Sequence, residues 1–244
     1  MKRTGILIIV LSLTGIMLKA QVTQTHMAFT TKKTATWCNP CGTWGWTLQE
    51  DIVSDNINNS VIMQVHFSSS SGLTNTAAVE LQAAFPYIGS TPAWYVNGIN
   101  KTAYSTSGGI FPTTTQSNIK SAVDSTHNAP VLANCAYTKS LNGNDLTVNT
   151  TTKFFADTSG EYYLSVLLVE NNVVAYQNGI GSTAVHKYVM RGSMSPSAFG
   201  VPIASGTITA NATYDKTYNY TIPSTWKKIN VTLSLVIWKK VGSQ

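Results

Sequence analysis

In the stretch TATWCNPCGTWGW, residues 34 to 46, Cys38 and Cys41 stand two residues apart, with Trp37 in front of them and Pro40 between them. Three chemistries use that spacing: half of a metal site, a structural disulfide, or a redox pair that exchanges disulfides with other proteins. A metal site needs about four ligands. No second Cys-x-x-Cys occurs, and His66 and Cys135 would have to be recruited from distant segments, so no metal is assigned. The other two readings both stay open on the residues alone.

The redox reading makes specific demands. At the first turn of a helix, Cys38 would meet backbone N–H groups without partners and the positive end of the helix dipole, both of which favour a thiolate. Cys38 would attack and Cys41, one turn inward, would resolve the mixed disulfide. Pro40 suits the first helical turn, where its missing N–H is not needed. Trp37 would cover one side of the site, and Lys32 and Lys33 just upstream are read as solvated. Far along the chain, Thr91-Pro92 precedes a short strand. A cis bond there would turn a backbone edge toward the cysteines, where an extended peptide could pair. Cys38 and Cys41 are thus the expected catalytic residues, with Trp37, Pro40, Thr91 and Pro92 positioning substrate and no cofactor called for.

The elements that must hold these residues follow from periodicity. A β-like approach leads to Cys38. A helix is expected from the cysteines through GTWGWTLQEDIVSDN, with Trp44, Leu48, Ile52 and Val53 on one face. VIMQVHF, residues 61 to 67, reads as a buried strand, and TAAVELQAAF as a helix stopped by Pro86. A strand at Ala93–Val96 meets Asn97-Gly98, a hairpin signal, with a partner strand over Ile99 to Tyr104. A last helix covers about Thr114 to Ser125. From Ala129 onward helical periodicity gives way to β-rich runs separated by turn residues, the pattern of a β-sandwich. His66 and His186 are read as core or structural histidines, and Cys135 as an apolar filler.

The amino terminus sets the compartment. Lys2 and Arg3, an apolar run from Gly5 to Leu18 and small Ala20 have the order of a secretory signal peptide, too short for a spanning helix. Cleavage after residue 20 leaves 13 basic against 10 acidic residues, with no Lys/Arg stripe, so nucleic acid is not an expected partner. After cleavage no transmembrane helix remains. The expected location is the periplasm, the periphery of the outer membrane, or outside the cell. In an oxidising compartment Cys38 and Cys41 are the natural couple, with Cys135 left single.

The motifs ATWCNPC and STPAWYVNG resemble the thioredoxin superfamily, where a Trp-Cys-x-x-Cys motif and a cis-proline face each other. VHKYVMRG, residues 185 to 192, and NYTIPSTWKKINVTLSLVIW are similar to signatures of the exported Omp28-related proteins of Bacteroidetes. The resemblance implies an α/β thioredoxin-like domain over residues 21–128 followed by an all-β sandwich domain over 129–244. It departs from the thioredoxin pattern in FTTKKTATW, where lysine stands in place of the buried acidic residue of many relatives. The implied function is thiol–disulfide exchange with protein thiols or disulfides of the cell envelope, the β domain binding a partner or tethering the protein at the outer membrane. The alternative is a non-enzymatic envelope binding or structural protein with Cys38–Cys41 as a static disulfide.

Overall fold

The computed structural model describes residues 20–68, 72–86 and 90–242; the expected signal peptide lies outside them except for Ala20. Strand β1 (Ala28–Thr34) runs directly into the cysteine motif. There the expected continuous helix is split into α1 (Asn39–Gly42) and α2 (Trp44–Asn56) by a non-helical Thr43 at φ −95°, ψ −113°. β2 (Ser60–His66) follows, then α3 (Thr76–Ala84), whose first turn is capped by Asn75 accepting from the Ala78 N–H. β3 (Ala93–Val96) and β4 (Ile99–Asn100) form the expected hairpin. Asn97 and Gly98 supply the two positive φ angles, 51° and 77°, that a tight hairpin turn needs. β4 is shorter than expected, and α4 (Pro112–His127) is longer at both ends.

The remaining elements are strands: β5 (Ala133–Asn142), β6 (Asp145–Phe154), β7 (Thr158–Ser159), β8 (Tyr162–Glu170), β9 (Val173–Gln177), β10 (Gly181–His186), β11 (Val189–Ser193), β12 (Val201–Ala204), β13 (Thr207–Ile208), β14 (Thr213–Thr221) and β15 (Val231–Lys239). β5, β6 and β14 make an antiparallel sheet, and β9–β10 and β7–β13 are separate two-stranded ribbons.

The expected fold class, an α/β thioredoxin-like domain followed by an all-β sandwich, is corrected by this arrangement. The molecule is mostly β, 43% strand against 21% helix, with its strands sorted into several sheets. The largest, eight-stranded among the described residues, draws on both halves of the chain in the order β12-β8-β11-β2-β1-β3-β4, with β15 on the other edge of β8. The physical reason lies at the edge of β2. The Gln64 N–H donates to Tyr188 O at 2.7 Å, and Val189 of β11 pairs with Gln64, so a later strand closes the edge that a free-standing α/β unit would end on. Periodicity reports which face of a strand is buried; it carries no record of which strand takes its backbone hydrogen bonds.

Three apolar clusters hold this sheet. Leu146, Val148 and Phe154 of β6 and Tyr218 of β14 close over Leu164, Val166 and Leu168 of β8. Met63 and Val65 of β2 meet Leu81 of α3, Leu167 and Val169 of β8 and Met190 of β11. Leu48 and Ile52 of α2, with Ile119 and Val123 of α4, cover Trp94 and Val96 of β3. Each fully buried aliphatic side chain contributes about 1.5–3 kcal/mol. Together they fix the end of β1, and with it the cysteine motif, against β2 and β3.

Candidate functional site

Cys38 is the N-cap of α1, and its Sγ accepts the Cys41 N–H at 3.1 Å. Pro40 falls in the first turn, as its fixed φ suits. The two sulfurs are joined in a disulfide. Thr91-Pro92 is cis, and Thr91 O lies 3.4 Å from Cys38 Sγ, a contact with no proton to share while the disulfide is closed. Pro92 is buried, and α2 reaches it through Gly45, where a Cβ would stand 2.9 Å from Pro92 Cγ. Cys38, Cys41, Pro40, Thr91 and Pro92 are therefore gathered at one place. Trp37 borders it with 50% of its surface exposed, edge-on to Phe67 at 6.2 Å.

The site is closed from above. Cys38 and Cys41 are only 3% and 1% exposed. The β9–β10 ribbon, an element whose position the sequence did not disclose, is hydrogen-bonded to the backbone of the motif. Gln177 Nε2 donates to Cys38 O at 2.9 Å, and Asn178 Nδ2 donates to Trp37 O at 3.1 Å. The Asn178 N–H donates to Thr36 O at 2.8 Å. The fit depends on glycine at two points. A Cβ on Gly42 would overlap the Asn178 carbonyl oxygen and lie 2.8 Å from Gln177 Cγ. Gly179, at φ +94°, turns the ribbon against Thr43 and Asn39. No pattern in the sequence says which surface a hairpin such as β9–β10 lies on.

Beneath the motif is a polar group that should be charged and is not exposed. Lys32, expected in water, is 1% exposed; its Nζ donates to Gly45 O at 2.8 Å and lies 5.6 Å from the Trp94 ring centre. Burial lowers its pKa from 10.5 to about 7. Lys33 is buried as well, with its ammonium 4.7 Å over the Phe67 ring, and burial lowers its pKa too. The residues precede the motif on a strand that is buried along its whole length.

His66 and His186 meet ring to ring at 5.3 Å, with Trp46 against His186 at 5.2 Å. Both are buried in the core; the hydrogen bond expected to satisfy His66 is missing, since neither of its ring nitrogens meets a partner among the described residues, while His186 lies against the backbone of Ala175 and Tyr176. Burial depresses both pKa values. His66 lies well below the usual 6.5, helped by neighbouring His186, Lys32 and Arg191; His186 lies at about 4, the backbone of Ala175 and Tyr176 partly offsetting the effect. A folded-state pKa below the unfolded one gives stability that is present above pH 6.5 and lost as pH falls toward 4. We expect Tm to drop across that window, and a His66→Leu/His186→Leu variant to flatten the profile; an unchanged slope in the variant would refute the assignment. Arg191 holds Glu170 at 3.4 Å and stacks over Trp226, a structural pairing. Cys135 is a half-buried thiol packed on the first cluster, its pKa pushed up to about 11 by burial. Among the described residues, no group of three or more His, Cys, Asp or Glu is placed to hold a metal.

Fold and site thus define a mostly β protein with a buried disulfide, and the comparisons name its family. Residues 92–243, more than half of the chain, match the family described as "Outer membrane protein Omp28", and the chain belongs to that family. It is an exported protein of the cell envelope. HBP35 of Porphyromonas gingivalis has a similar structure, with a TM-score of 0.69 over 89% of this chain and 70% of that one. At 15% identity the likeness is one of fold. No curated protein matches the sequence. No described helix is long and apolar enough to cross a membrane.

Proposed function

We propose that the protein is a non-enzymatic binding or structural module of the cell envelope in which Cys38–Cys41 is a permanent staple. One observation carries this reading: both sulfurs are buried, and the β9–β10 ribbon is seated over them by hydrogen bonds to Thr36, Trp37 and Cys38. A disulfide that serves exchange must present one sulfur to an incoming thiolate along the S–S axis. Here both cysteines are buried, 3% and 1% exposed. The staple instead fixes the Thr36–Cys41 loop, which is the ledge on which the ribbon sits.

A second reading, thiol–disulfide exchange, is favoured by the cis Thr91-Pro92 bond beside Cys38, whose backbone edge could pair with an incoming peptide, and by the Cys41 N–H directed at the Cys38 sulfur, which suits a thiolate. A single experiment separates the two. The Cys41→Ser variant, expressed with export intact, leaves Cys38 with no internal partner. The staple reading expects no mixed disulfides with envelope proteins on non-reducing gels, and a reduction potential for the wild-type pair below about −300 mV. Abundant adducts through Cys38, or a potential near that of a reducing pool, would replace the staple with an exchange enzyme.

A further inference from the structure

A cleft of about 260 Å³ opens between α2, β2 and the link from β10 to β11. α2 supplies Trp46, Gln49 and Glu50, which share one helical face; β2 supplies Gln64, and the link supplies Lys187 and Tyr188. The walls are held in place by specific contacts. The Trp46 ring packs edge-to-face with His186 at 5.2 Å, and Gln64 Nε2 donates to Lys187 O at 2.9 Å. Tyr188 stands at φ +54°, a left-handed conformation that strains a non-glycine residue. It is fixed there from both sides: its N–H donates to Asn171 Oδ1 and its carbonyl accepts the Gln64 N–H, each at 2.7 Å. Enforced strain of this kind gathers at ligand sites. The floor carries a polar group without a partner. Gln49 is 4% exposed, and its Oε1 accepts the Trp94 indole N–H at 2.8 Å. An indole nitrogen only donates, so the amide's orientation is settled, and Nε2 is left as a buried donor with no partner among the described residues. At the mouth, Lys187 Nζ and Glu50 Oε1 lie 3.5 Å apart, both half-exposed, and neutralise one another.

We propose that this cleft binds a single neutral sugar ring, a pyranose that is either free or the end of a longer glycan. The volume equals about nine waters of liquid, room for one six-membered ring with its substituents. A pyranose has an apolar C–H face to lay on aromatic walls such as Trp46 and Tyr188, and a polar circumference for the few groups that fix orientation. Each hydroxyl both donates and accepts. It can therefore give Gln49 the acceptor it lacks, and bond to Glu50 and Lys187 without parting them. A zwitterion such as a free amino acid would have to break that ion pair to use it. A purely apolar ligand would leave the Gln49 donor still unpaired. The inference rests on the reading of the protein as a binding module, to which it adds a ligand class, and it uses neither cysteine.

The test is titration of the exported, processed protein with glucose, galactose, mannose and N-acetylglucosamine and with their methyl glycosides, followed by saturation-transfer NMR and tryptophan emission. Saturable binding of at least one pyranose is expected, with a Kd on the order of 1 mM and little dependence on salt. Equal affinity for a sugar and its methyl glycoside assigns a glycan end; tighter binding of the free sugar assigns a monosaccharide. Glu50→Ala and Ser54→Tyr change exposed α2 positions at the mouth, and each should weaken binding on the order of tenfold while keeping the Tm. Gln49→Glu, which keeps the acceptor for Trp94 and removes the spare donor, should weaken it as well. Trp46→Phe should remove the emission change while saturation transfer persists. No saturable binding of any pyranose overturns the proposal. So does binding that Glu50→Ala and Ser54→Tyr leave intact, or tighter, salt-sensitive binding of free amino acids. None of these results touches the staple reading, which the Cys41→Ser gels decide separately.

Discussion

Replacing Lys32 by methionine stabilises the protein at neutral pH by about 3 kcal/mol. The number follows from the burial of Lys32 and the fall of its pKa from 10.5 to about 7. Each unit is worth about 1.4 kcal/mol, so holding this amine in the interior at pH 7 costs roughly 4 kcal/mol. Methionine fills similar space with no charge to desolvate. It forgoes the bond to Gly45 O, which returns about 1 kcal/mol. The pH dependence gives a sharper check. The folded-state pKa lies below the unfolded one, so between pH 10.5 and 7 the unfolded chain binds the proton more readily. Stability is complete above pH 10.5 and declines as pH falls toward 7. Denaturant unfolding across that range should show the slope in the wild type and lose it in Lys32→Met. A destabilised variant, or a wild type without the slope, would mean that the ammonium is paired and charged where it lies.

The second large effect is expected at Gly42. A methyl group there collides with the carbonyl oxygen of Asn178 and with Gln177, and neither α1 nor the ribbon has room to retreat without breaking the bonds to Cys38 and Trp37. Overpacking of this kind costs about 1–3 kcal/mol. The strain should be relieved locally, by the ribbon coming off its seat, because the ribbon is a separate two-stranded sheet and most of the core lies elsewhere. Gly42→Ala should then expose the Cys38–Cys41 bond. At about 1.4 kcal/mol per factor of ten, reduction by a small phosphine should accelerate on the order of tenfold or more, with the far-UV spectrum unchanged. Equal reduction rates in variant and wild type would show that the ribbon does not guard the sulfurs.

Local structure was largely readable from the chain. β3 and the Asn97-Gly98 turn lie where alternation and turn chemistry put them, and the strand before α3 is displaced by one residue. The grouping of Cys38 and Cys41 with Thr91 and Pro92 also followed from element order. Two things escaped. One was the surroundings of Lys32: a lysine next to a motif carries no mark of burial, and only the neighbours on β2 and β3, paired with it in space, remove its access to water. The other was edge pairing. The division at Ala129 rests on a true change of periodicity, yet the hydrogen bonds of β2 cross it, because backbone donors are matched by geometry that side-chain patterns do not encode. The same gap hid Gln177 and Asn178, whose bonds to the motif span 139 and 141 residues of sequence.

The bond between Gln64 and Tyr188 also has a temporal side. A polypeptide delivered amino end first carries β2 into place while its closing strand is still about 125 residues behind. At ribosomal speeds that interval is roughly 6–25 s. Throughout it an apolar strand shows an unsatisfied flank to every other nascent chain nearby, the situation in which misassembly begins. For a secreted molecule this argues for escort by a holding chaperone until the last third of the chain has arrived. Chains truncated near residue 128 should inherit the hazard permanently.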